Sequence, residues 1–394
     1  MPVKVYTSLQ QGAPTINGTA GSLITALDAI LVNGYGQVNV SSITRSGTTA
    51  TVATADAHGL STGDVVLISG ATQTEYNGEF VVTVTGFSSF TYEVSGSPTT
   101  PATGTITSKR APAGFSKVFS GTNKAVYRSN DPSSRKHYFR IVDDGSTAGG
   151  AREARLWGYE AMSDVDTGTG MYPTTAQYSN GFFCQKSATA DSTARHWVLV
   201  TDGKTVYCFV YINTPAPSGD ITNPSNVSSF GFGDAIGFKP GDAYLSWVTG
   251  DPTVNNFTNP QSGLFSSATW LTAADPPNPT IMAARNFTGV PGARQMQVFA
   301  TAFSAIVGGA TYISYPNPLD NGFYMVPALL TQGSPGLFRG RLPGFYEPMH
   351  GRCFPNMQII ENVTGFTGRK FMMLWGNNNG SGVCVLDITG PWDS

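Results

Sequence analysis

Apolar positions along most of this chain fall into short runs of period two separated by turn residues, with one early exception. From Ser22, the residues Leu23, Ile24, Leu27, Ile30 and Leu31 recur at i, i+4 and i+7/i+8, with Gly21 before them and Gly34 after. That spacing predicts an amphipathic helix over 22–33 whose role is to plug one face of a sheet. From Val38 to about Arg110 the pattern alternates: Val38–Val40, Ser42–Thr44, Thr49–Thr54, Asp64–Ser69, Gly78–Val84, Ser89–Val94 and Gly104–Thr107 read as about six strands. Strands that short and numerous, within about 70 residues, predict a small closed barrel or sandwich able to fold alone.

The remainder also reads as β. His196–Thr201, Asp202-Gly203 and Lys204–Tyr211 give the strongest hairpin signal, since Asp-Gly suits the two positive-φ positions of a type I′ turn. Lys136–Val142 and Glu153–Tyr159 flank a second turn at Asp143-Asp144-Gly145. Further strands are expected at Thr280–Ala284, Ala310–Ser314, Gly322–Pro327, Leu337–Leu342, Lys370–Trp375 and Val383–Ile388. Pro215–Asn226 reads as a loop, and Thr249–Pro279 as a long connection, an arm or a ligand-facing loop. The expected fold is mainly β: a larger β-sandwich or barrel-like domain over 1–37 and 109–394 with one short N-terminal helix, interrupted by a small β-barrel at 38–108. If the barrel is an insert, Gly36 and Ala111 are neighbours in space.

Composition sharpens this picture. Of 394 residues only 12% are charged, 23 Lys and Arg against 25 Asp and Glu, about half the usual share. Gly (46), Pro (25) and small polar residues replace the charge, while 23 Phe, 16 Tyr and 6 Trp exclude a disordered chain. A net charge of −2 offers no basic field for a phosphate backbone, so nucleic acid is not an expected partner. No apolar run is long enough for a membrane span, and the first residues lack the apolar core of a secretory signal, which predicts synthesis in the cytoplasm. Cys184, Cys208, Cys353 and Cys384 are isolated and read as reduced, mostly buried thiols.

Candidate chemistry is sparse. Asp164 and Asp166 in Ser163–Gly170 imitate the first half of a calcium loop, but position 175 is Thr where a bidentate Glu is required. His58, His137, His196 and His350 have no sequence-local nucleophile in a known elbow, and packing or turn roles are expected for all four. Two distant carboxylates would suffice for a glycosidase, and Trp157, Trp197, Trp247, Trp270, Trp375 and Trp392 could stack on sugars; core or interface anchoring is the expected role of these rings. The expectation is a non-enzymatic protein with no catalytic residues, no cofactor and no metal.

Blocks in the barrel region carry a resemblance: Ser42-Ile-Thr-Arg-Ser-Gly, Ala57-His-Gly-Leu-Ser-Thr-Gly-Asp, Tyr76-Asn-Gly-Glu-Phe and Phe90-Thr-Tyr-Glu-Val. They resemble a β-barrel module of tailed-bacteriophage proteins and are similar to the barrel inserted in the first catalytic-cysteine half-domain of ubiquitin-activating enzymes, where it is structural. Gly18-Thr-Ala-Gly-Ser, Gly121-Thr-Asn-Lys-Ala-Val-Tyr-Arg-Ser, Gly158-Tyr-Glu-Ala-Met-Ser-Asp-Val-Asp and Asp387-Ile-Thr-Gly-Pro-Trp392 resemble a family of phage virion proteins over most of the chain. The resemblance implies a virion structural protein, a homo-oligomer whose partners are other virion proteins. Tail tip, baseplate or collar is the favoured position; a capsid-surface decoration protein and an adhesin for a host surface glycan are the alternatives.

Overall fold

A computed structural model describes residues 2–255, 257, 263–264, 280–299, 313–332, 336–376 and 382–392. The alternation read between Val38 and Arg110 becomes a seven-stranded antiparallel sheet in the order Gly78–Val81, Val65–Ala71, Gly104–Arg110, Tyr35–Ser46, Thr49–Thr54, Ser89–Glu93 and Thr83–Gly86. Its two edge strands are joined by Val82 alone, so the run expected as one strand from Gly78 to Val84 breaks at a corner. There the Val82 N–H donates to the Asp64 carbonyl and the Val82 carbonyl accepts from Gly63, which folds the sheet over. Ile43, Val52, Val66, Ile68, Tyr76, Phe90 and Tyr92 fill the enclosed space as a core drawn wholly from this segment. Tyr35 is the antiparallel partner of Arg110, so the chain enters and leaves the barrel at one point.

The predicted helix is present as an α-helical turn, Ser22–Leu27, continued by a wider π turn, Asp28–Asn33. Leu23, Leu27, Ile30 and Leu31 are all fully buried. At its start the Leu23 N–H donates to the Asp143 carboxylate at 2.9 Å, and Gly34 ends it at φ 72°.

A thirteen-stranded antiparallel sheet forms the body. It runs Lys4–Thr7, Arg195–Thr201, Thr205–Pro215, Ser228–Asp234, Ser246–Thr249, Thr280–Ala283, Arg294–Phe299, Met325–Gln332, Leu337–Pro348, Val383–Asp387, Phe371–Trp375 and Ile359–Ile360, with Ile236–Gly237 paired to Leu337–Pro348. Because side chains alternate across a strand, Trp197, Leu199, Val206, Cys208 and Val210 face one core, while Val198, Val200, Tyr207, Phe209 and Tyr211 face another. The first face is covered by the helix and by a five-stranded sheet, Phe182–Gln185, Glu153–Tyr159, Tyr138–Val142, Lys124–Ser129 and Phe115–Gly121. Phe139 stacks on Phe232 across that interface at 4.7 Å. The second face is covered by the same large sheet rolling back: Leu330, Leu342, Phe345, Met372, Leu374 and Leu386 share its core. Tyr207 lies between Trp247, Phe345 and Trp392, with ring centroids 5.4 to 5.8 Å away. Burying rings of this size contributes about 2 to 3 kcal/mol each relative to exposure.

The hairpin at 196–211 forms, but its turn is not type I′. Gly203 has φ 86° while Asp202 is not left-handed. Instead the Asp202 carboxylate accepts from the Lys204 and Thr205 N–H groups at 2.9 and 2.8 Å, a side-chain-closed turn that leaves Asp202 in ordinary backbone geometry. Of the other expected elements, the strand at 310–314 and most of the 249–279 connection lie outside the described residues. Strands that the sequence reading did not assign are also present, among them Lys4–Thr7, Phe115–Gly121, Lys124–Ser129, Phe182–Gln185, Ser228–Asp234, Ser246–Thr249 and Arg294–Phe299.

Candidate functional site

Asp164 and Asp166 do not converge on a cation site. The Asp164 carboxylate accepts from the Asp166 and Thr167 N–H groups, which holds its pKa below the usual range. Asp166 binds Lys124 at 2.9 Å and also Arg140. Its acceptor capacity is taken by cations of the five-stranded sheet, so the loop is a pinned turn.

The histidines sit in four separate places. His58 receives the Leu60 N–H on Nδ1 at 3.0 Å and places Nε2 at the Gly86 and Ser89 carbonyls, stitching a barrel corner. His350 accepts the Tyr324 N–H at 2.8 Å within a ring cluster of Tyr315, Phe323 and Phe354. His137 meets the buried Tyr172 hydroxyl at 2.9 Å, and burial pushes its pKa down to about 4. His196 does have a hydroxyl partner, one brought from a distant strand: Ser8 Oγ lies 2.8 Å from Nδ1 and accepts the Trp197 N–H. Among the described residues no carboxylate hydrogen-bonds to His196, whose buried Nε2 is unpaired. The pair therefore lacks the third group that would orient a base.

Cys184, Cys208 and Cys384 are buried free thiols and Cys353 is half-buried; burial pushes all four pKa values up, Cys353 to about 11. Trp157, Trp197, Trp247 and Trp392 are buried, and Trp375 is half-buried with its Nε1 donating to the Phe354 carbonyl. Trp270 lies outside the described residues. Among the described residues no group of three or more His, Cys, Asp or Glu side chains forms a metal-binding cluster, and no helix is long and apolar enough to cross a membrane.

Two features that sequence reading missed stand out on the strand Leu337–Pro348. Glu347 is half-buried beside Cys384 and has no hydrogen-bond or ion-pair partner among the described residues; burial pushes its carboxyl up to about 7. On the other face, Arg341, Tyr346, Arg369, Asp387 and Trp392 line a small solvent-open recess of about 10 Å³, room for about one water, with Pro327 and Pro391 also lining it. Arg369 pairs with Asp387 and donates to the Pro391 carbonyl at 3.0 Å; the other Asp387 oxygen accepts from Thr389 and Gly390. Asp387 follows Val383 and Val385 on its strand face, whereas Glu347 neighbours Cys384 on the opposite one, so the sheet separates these two carboxylates. Arg341, Arg369 and Asp387 come from three separate segments, and no local motif joins them.

Apolar surface gathers nearby. Phe238, Leu337 and Phe338 are 50, 53 and 52% exposed, and the Phe238 N–H donates to the Arg339 carbonyl, which places Phe238 next to the strand segment that carries the other two. At the barrel tip Phe87 is 83% exposed.

No family model and no curated protein matches the chain, so the likeness of the barrel to the ubiquitin-activating-enzyme insert has no support. Among solved structures the chain is similar to "Phage phi92 endosialidase", at 12% identity over 84% of this chain and 72% of that one, with a TM-score of 0.17. The expectation of a non-enzymatic chain is corrected by that finding, since that structure is by its title an enzyme. A likeness at that TM-score transfers neither its fold nor its activity to this chain.

Proposed function

We propose that this chain is a structural component of a tailed-bacteriophage virion, placed on the tail side at the tip, baseplate or collar and assembled in symmetric copies. The observation that carries the reading is the patch of Phe238, Leu337 and Phe338, each about half exposed, in a chain with only 12% charged residues. Exposed apolar side chains gathered at one strand end in a charge-poor surface are stabilised by covering them, and a closed ring of copies covers the same residues on every subunit. The large sheet then makes the copy-to-copy contact. The barrel, entered and left between Tyr35 and Arg110, presents Phe87 to a neighbouring protein of the particle.

Gold-labelled antibody against the chain, viewed on intact virions by electron microscopy, tests the placement. Label at the tail or its tip is the expected result; label over the head, or unlabelled particles, overturns it. Light scattering on the purified chain tests the contact: the wild type is expected as an oligomer that Phe238→Asp dissociates, and a monomeric wild type removes the patch as the assembly surface.

A further inference from the structure

We propose that the side chain of Gln10 is a built-in plug that closes the free edge of the thirteen-stranded sheet to any further strand. This device does not depend on the virion reading.

Among the described residues the large sheet ends at Lys4–Thr7 on one side and at Ile359–Ile360 on the other. A free strand edge presents unpaired N–H and C=O groups that template pairing with another chain. Ile359–Ile360 is only two residues long, which limits what it can template. Lys4–Thr7 is longer, and its register decides which groups face out. Tyr6 stands opposite Leu199 and the Ser8 N–H donates to the Trp197 carbonyl at 3.0 Å. Lys4, Tyr6 and Ser8 therefore bond inward, and Val5 and Thr7 turn their backbone groups outward.

Gln10 meets three of those outward groups. Its Oε1 accepts the Thr7 N–H at 3.0 Å, its Nε2 donates to the Val5 carbonyl at 3.1 Å, and its own N–H donates to the Thr7 carbonyl at 3.2 Å. The last bond alone closes the turn from Thr7 to Gln10; the reach to Val5, five residues back, goes beyond what a turn requires. The Val5 carbonyl and the Thr7 N–H are the two groups that one residue of an added parallel strand would engage, so the primary amide stands in that residue's place. Its orientation is fixed, because the Tyr35 hydroxyl also donates to Oε1 while Nε2 faces a carbonyl. Gln11 Nε2 donates to the Ala57 carbonyl at 2.9 Å, so the turn that carries the plug is fastened to the barrel.

The test compares the full-length wild type with Gln10→Ala, Gln10→Glu and the double variant Val5→Pro/Gln10→Ala, by hydrogen exchange and by light scattering over time. Val5 turns its N–H away from Arg195–Thr201, so a proline there costs no ladder bond and sets its ring across the opened edge. Gln10→Glu keeps an acceptor for Thr7 and Tyr35 and puts a charge on the edge, which also discourages strand addition. In Gln10→Ala the Thr7 amide is expected to exchange about tenfold faster or more, the loss of one hydrogen bond, and the particle mass to grow with time and concentration beyond that of the wild type. Gln10→Glu and the double variant are expected to stay at the wild-type mass. A Gln10→Ala chain that stays at the wild-type mass shows that Gln10 serves only its own turn and overturns the plug. Growth that persists equally in the double variant comes from general unfolding and overturns it as well, as does unchanged exchange at Thr7.

Discussion

Thr49–Thr54 in the barrel alternates between buried and more open positions, whereas Arg195–Thr201 in the large sheet is buried at every residue. The barrel wraps one core, so each of its strands needs apolar side chains on one face only. The large sheet is covered on both faces, and polar residues caught inside it must find partners there. Ser246 donates to Asp234 at 2.7 Å and Thr205 to the Asp234 carbonyl at 2.6 Å, while at the covering five-stranded sheet Lys186 meets Asp143 at 2.5 Å with both side chains wholly buried. The barrel has ion pairs of its own where it joins the body: nearly buried Arg110 with Asp64, and buried Lys4 with the partly exposed Glu79. The body therefore holds paired polar groups deep inside a doubly covered sheet, whereas the barrel wraps a self-contained apolar core and keeps its ion pairs where it joins the body.

The largest expected effect breaks the body's side of that comparison. Lys186→Met leaves Asp143 charged and buried and is expected to cost about 3 to 5 kcal/mol in urea unfolding. Adding Asp143→Asn should recover much of it, because the cost lies in the orphaned charge. Additive losses would instead show that the pair itself stabilises the helix start. Glu347 offers a smaller test with a pH signature. Its carboxyl is raised from 4.5 to about 7 by burial, so the native state holds the proton more tightly than the unfolded chain. Its contribution is greatest below the unfolded value and is lost as pH rises toward about 7. Glu347→Gln is expected to match the wild type near pH 4 and to exceed it by about 1 to 3 kcal/mol near pH 8; a pH-independent difference would sink this reading. The smallest effect is expected from the largest cut. Replacing residues 38–108 with a short Gly-Ser linker should leave a soluble remainder that unfolds cooperatively, having lost the Glu79 contact to Lys4 and the Asp64 contact to Arg110. An aggregated product would place the barrel in the main core and end the reading of it as an insert.

Much of the fold was legible because the pattern that signals it is local. The helix at 22–33, the barrel strands and the 196–211 hairpin each announce themselves by periodicity or a turn pair. Ser228–Asp234 did not, since Gly231 and Gly233 argue against a strand. The structure supplies the reason for both: a Cβ on Gly231 would sit 2.8 Å from the Trp247 ring, and Gly233, at φ 135°, passes the Lys204 carbonyl too closely for any side chain. The recess was illegible for a different reason. Arg339-Gly340-Arg341 reads as two like arginines on a strand, and only tertiary structure shows that Arg339 grips Asp242 while Arg341 lines the recess. Ser8 and His196 were likewise joined by strand pairing alone, since Thr7 lies opposite Val198.

The pairing of Lys4–Thr7 with Arg195–Thr201 also sets an order of events during synthesis. At about 5 to 20 residues per second, a ribosome takes roughly 10 to 40 s to deliver the partner of that first strand. The barrel strands, all between Tyr35 and Arg110, emerge and can close well inside that interval. When Arg195–Thr201 arrives, Tyr6 already has the Ala111 carbonyl and Lys4 the Pro112 carbonyl within reach on the barrel's exit segment. The small module is thus placed to shelter an unpaired strand edge from neighbouring nascent chains until the body is ready to take it.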